Sequence, residues 1–147
     1  TSCYRCLQSF RNRMDHSLLD RKLGIQFIEH AFDGGYPPYP AERTRRSLDL
    51  LARDLIRQYG TEFSFSREVQ RYDNEAGEIV IPIVATRLAT GAETWISLSS
   101  PLAPAIPTDH KLQKLSPQGS EKMECVDDLI IRRHLPEASL QLRGKLR

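Results

Sequence analysis

Residues 40–60 read PAERTRRSLDLLARDLIRQYG, and this stretch decides the fold. Its apolar residues recur at spacings of three and four, which predicts a helix that begins at Pro40 or Ala41 and ends at Gly60. The opposite face carries charged residues that can pair one turn apart. Such a helix must cover an apolar surface, and the residues after it supply one. The apolar stripe consists of Leu48, Leu51, Ala52, Leu55, Ile56 and Tyr59.

The residues that follow alternate as β-strands do. Phe63, Phe65 and Val69 predict a first strand, and a turn at 73–77 precedes a second strand over 78–90. A third strand over 94–99 completes an antiparallel meander, whose apolar face we expect the helix at 40–60 to cover.

The second strand is apolar on both faces, which indicates a central strand. Pro82 interrupts it, and we expect a bulge or a missing ladder hydrogen bond there. Simple alternation assigns Ile79, Ile81 and Ile83 to one face, and Val80 and Val84 to the other.

Helices are predicted on both sides of this meander. A first helix over 15–33, with Asp15 or Ser17 as its N-cap, ends at Gly34-Gly35. Five prolines and glycines make 100–120 a loop. Residues 121–134 are predicted to be a helix that buries Met123, Val126, Leu129 and Ile130, and Glu137 to Arg147 a short basic helix.

The predicted class is therefore α+β, with two N-terminal helices, a three-stranded antiparallel meander and a C-terminal helix with a basic tail. The organisation is an N-terminal arm over 1–14, a core domain over 15–99, a Pro-rich loop over 100–120 and a C-terminal helical segment over 121–147.

The composition bounds the class of protein. The chain has 147 residues, 39% of them hydrophobic, and a net charge of +2, which fits one ordinary domain. Its longest mostly apolar stretch, Ile79 to Ala85, is far shorter than the roughly 20 residues of a membrane-spanning helix, so we expect a soluble protein without membrane contact. Three scattered cysteines favour an intracellular, reducing compartment.

Motifs of catalysis and nucleotide binding are absent from the sequence. Asp127 and Asp128 are predicted on different helical faces, so they do not form an acid/base pair. Cys3 and Cys6 have the spacing of half a zinc site, but structural zinc needs a second close pair of ligands. We therefore expect no enzyme, no cofactor and no metal, with a zinc-stapled arm as the third hypothesis.

Arginine supplies 16 of the 21 basic residues, and its clusters could neutralise phosphates. The order of a helix, three strands and a helix is similar to that of double-stranded-RNA-binding domains, but acidic residues stand where their last helix is basic. RNA or DNA binding is therefore the alternative function. The candidate contacts are Arg43, Arg45, Arg46, Arg53, Arg57, Arg132, Arg133, Arg143, Lys145 and Arg147.

The leading hypothesis is a non-enzymatic protein–protein interaction or assembly subunit, in a larger complex or a homo-oligomer. Its basis is that the N-terminal arm, the Pro-rich loop and the C-terminal segment contain too few apolar residues to offset their ordering entropy. The aromatic residues proposed as interface anchors are Tyr36, Tyr39 and Trp95.

Overall fold

The computed structural model describes residues 21–34, 39–74, 76–115 and 122–146. The chain divides into two compact units, residues 1–38 and residues 39–147. The arm over 1–14, Cys3, Cys6, Tyr36, Arg147 and the expected N-caps of the first helix lie outside the described residues.

The first unit contains helix α1 (Arg21–Asp33). Its end is where the sequence predicts it. Gly34 adopts a left-handed backbone with φ of 68°, and its N–H donates to the His30 carbonyl at 2.9 Å. This geometry is typical of a glycine that terminates a helix.

The second unit is α+β, as predicted, and its first helix has the predicted bounds. A sheet of five strands forms its centre, antiparallel in the order β1-β2-β3-β4, with β5 parallel to β3. The elements are α2 (Ala41–Tyr59), β1 (Phe63–Asp73), β2 (Gly77–Arg87), β3 (Glu93–Ser100), β4 (Ala103–Pro107), α3 (His110–Lys114), β5 (Lys122–Asp127), α4 (Asp128–Arg133) and α5 (Leu135–Lys145).

The prediction that residues 100–120 form a Pro-rich loop is wrong for the part of this segment that the structure describes. This part contains β4, whose ladder to β3 has two residue pairs, and a short ladder of this kind tolerates proline. It also contains α3, which begins where the Asp109 side chain accepts hydrogen bonds from the N–H groups of Lys111 and Leu112. Leu112 is fully buried, so this segment is packed against its own fold.

The prediction of a helix over 121–134 is also wrong, because the first half of that range is strand β5. The free edge of β3 pairs with it from Thr94 to Ser99. Val126 packs in one core cluster and Met123 against the other, as residues on opposite faces of a strand do. Asp127 then caps the short helix α4 by accepting from the N–H of Leu129 at 2.7 Å.

The assignment of Ile79, Ile81 and Ile83 to one face is wrong as well. Ile83 lies in the core cluster beneath α2, whereas Ile79 and Ile81 lie in the opposite cluster. The change of face occurs at Pro82. Register pairs flank it on both sides, but Glu68 and Pro82 form no pair, and Glu68 has φ of 51°. The gap in the ladder that Pro82 predicts is therefore observed. Opposite it on β1, Glu68 adopts a left-handed backbone.

Two apolar clusters fill the two faces of the sheet. The larger one joins the sheet to α2, α4 and α5, as expected for α2, and the smaller one joins it to α3. The C-terminal segment contributes five buried residues to the larger cluster, so the expectation that it cannot hold itself in place is wrong. These five residues are Val126, Ile131, Ala138, Leu142 and Leu146.

Candidate interaction surface

Helix α1 presents large apolar side chains to solvent. Phe32 is 86% exposed, Phe27 59%, Ile28 55% and Ile25 46%. Exposed apolar side chains are common when scattered singly, but Ile25, Ile28 and Phe32 share one face of the helix and form a patch of the kind that marks an interaction site, whereas Phe27 lies on another side.

The exposed residues follow the spacing of a helix that docks into a partner. Ile25, Ile28 and Phe32 stand at i, i+3 and i+7, which is the pattern of helix anchors in apolar grooves. The polar side chains of Gln26 and His30 are less exposed than these apolar residues. The sequence alone offers the signal for this pattern, because apolar residues stand three and seven positions after Ile25.

A buried carboxylate fixes the start of α2 to α4. Asp128 is completely buried, and its oxygens accept hydrogen bonds from the hydroxyls of Tyr39 and Ser47. They also accept from Nε of Arg43 at 2.9 Å and Nε of Arg132 at 2.7 Å. Burial and the hydrogen bond to Asp128 raise the pKa of the Tyr39 hydroxyl, so it remains a donor. Two guanidinium groups and two hydroxyls leave this carboxylate no position for a substrate, which indicates a structural role.

A second buried carboxylate joins α2 to α5. Asp54 is 5% exposed and accepts hydrogen bonds from the Ser139 hydroxyl at 2.6 Å and the Arg57 guanidinium at 2.7 Å. Burial alone would raise the pKa of Asp54, but the hydrogen bonds from Ser139, Arg57 and Gln58 outweigh it and hold that pKa below its ordinary value. The ionised form of Asp54 therefore stabilises the fold.

This depressed pKa predicts a limb of acid unfolding. Its contribution is fully present above the unfolded-state pKa of about 3.9 and is lost as pH falls through the lower folded-state value. We expect the difference in unfolding temperature between the wild-type chain and Asp54→Asn to be constant above about pH 5 and to shrink below about pH 4. Thermal unfolding followed by circular dichroism from neutral to acid pH measures it. A difference that stays constant into acid contradicts the role of Asp54.

Most of the residues predicted to contact nucleic acid form ion pairs with carboxylates of their own chain. Six of the nine that the structure describes form ion pairs, in which Arg43 and Arg132 share one buried partner. Arg143 also lies over the Phe63 ring, 5.4 Å from its centroid. The remaining three, Arg45, Arg53 and Arg133, have no ion pair with another described residue. The other four pairs are Arg46–Glu42, Arg57–Asp54, Arg143–Glu62 and Lys145–Glu124.

Of the three aromatic residues proposed as interface anchors, the two that the structure describes pack in the core or against it. Trp95 is 8% exposed and packs in the smaller cluster. Tyr39 is half-buried against the larger cluster, with Arg43 over its ring at 5.2 Å. Each of these two contributes to the packing of its own chain.

A groove of about 330 Å³ lies beside the first half of α2. Its lining includes the apolar residues Leu48, Val80 and Pro82 and the charged residues Arg45 and Glu68. These two side chains have opposite charges and no ion pair with another described residue. The groove therefore does not select anions or cations by charge alone.

A smaller cavity of about 210 Å³ is lined in part by Cys125. Burial and the neighbouring Glu124 raise the pKa of Cys125, although Lys145 opposes them, so the thiol is a poor nucleophile at neutral pH. Within the described ranges, no three His, Cys, Asp or Glu side chains are grouped closely enough to bind a metal ion.

Among the helices that the structure describes, none combines the length and apolar character needed to cross a lipid bilayer. No family model matches the chain, and neither a curated protein nor a solved structure shows significant similarity to it.

Proposed function

We propose that this chain is a non-enzymatic protein–protein interaction subunit that assembles through the apolar face of α1. The exposure of Ile25, Ile28 and Phe32 on one face of α1 carries this proposal. The C-terminal segment and the Pro-rich segment pack on their own fold, so they no longer support an assembly role. The support therefore comes from α1 alone.

The chemistry of α1 fits an apolar partner surface. Fully burying an exposed Phe or Ile side chain contributes about 1.5–3 kcal/mol, and the three side chains of this face are already partly covered. Association also costs several kcal/mol of translational and rotational freedom. The expected complex is therefore of modest affinity, such as an α-helix forms in a shallow groove.

Nucleic-acid binding is less well supported. Carboxylates already neutralise six of the nine described candidate residues, so few guanidinium groups are free for phosphates. A charged patch that contacts DNA or RNA needs basic residues that are not committed to pairs within the chain. Arg45, Arg53 and Arg133 are too few for the strongly salt-dependent binding that such proteins show.

Gel filtration of the full chain in lysate of its source cells tests the proposal. The wild-type chain should elute as a larger species than the monomer, and Ile28→Asp/Phe32→Asp should elute as the monomer, because a buried unpaired charge opposes docking. The matched control is Leu140→Asp, since Leu140 on α5 is also exposed, at 65%. It should elute with the wild type. A wild-type chain that elutes as the monomer contradicts the proposal.

A further inference from the structure

We draw no further inference here: the strongest candidate, the groove of about 330 Å³ beside the first half of α2, is lined by side chains of opposite charge and by Tyr39, and nothing in the structure shows what covers it.

Discussion

Replacing Asp128 by alanine is expected to lower the free energy of unfolding by about 3 kcal/mol. The substitution removes the shared acceptor of Arg43 and Arg132 and leaves two guanidinium groups close together without their carboxylate. The hydroxyls of Tyr39 and Ser47 lose the same acceptor. A cost of this size is typical when one partner of a buried charge cluster is removed. Urea unfolding of the full chain measures it.

Glu42→Ala is the control for Asp128→Ala. Glu42 also accepts from an arginine, Arg46, but both side chains are largely exposed, at 74% and 77%. An exposed pair in a helix is worth a few tenths of a kcal/mol, so this variant should unfold almost as the wild type does. Equal effects of the two substitutions would show that the buried cluster does not hold α2 against α4.

Replacing Leu112 by alanine is expected to cost about 3 kcal/mol. Leu112 is fully buried against Ile79, Ile81, Val84 and Trp95, and its truncation leaves a cavity in the smaller cluster. Guanidinium unfolding followed by the fluorescence of Trp95, the single tryptophan, reports on the same cluster. This variant tests the packed segment that replaces the predicted loop.

Leu140→Ala is the control for Leu112→Ala, because the same atoms are removed from a leucine that is 65% exposed. It should change the unfolding free energy by less than about 0.5 kcal/mol. If Leu112→Ala is equally mild, the segment from 100 to 115 is a loop after all, and the smaller cluster is not a core.

The sequence predicts α2 and the first three strands because local pattern and tertiary environment agree there. The apolar stripe of α2 matches the helical period, and Gly60 marks the end of the helix. Pro82 also predicts its own effect, a missing contact in the ladder. What alternation could not show is that Glu68 reverses the strand face, since an αL backbone at a glutamate has no sequence signal.

The C-terminal half is less predictable because long-range pairing overrides local spacing. The apolar residues Met123, Val126 and Ile130 fit a helical period, yet the first two lie on a strand, because β3 offers an open edge. Asp127 stops that strand by capping α4. The start of α3 does have a local signal, since Asp109 is a typical N-cap, but five prolines and glycines around it outweigh that signal.

The same contrast between local patterns and long-range contacts applies to the candidate site. The arginine clusters are visible in the sequence, but their carboxylate partners are as far as 85 residues away, as in Arg43 and Asp128, and no local rule pairs them. The apolar stripe of α1 is visible too. Whether such a stripe is core or surface is not encoded in its period, and only the exposure of its side chains makes it a candidate interaction surface.

Site-specific photo-crosslinking tests the central claim most directly. A benzophenone amino acid is placed at position 32 or, as the control, at position 72, because Phe32 and Tyr72 are both aromatic and are 86% and 79% exposed. Irradiation in source cells should join position 32, but not position 72, to a second polypeptide. Equal or absent crosslinking at the two positions would contradict the assignment of α1 as the surface through which this chain assembles.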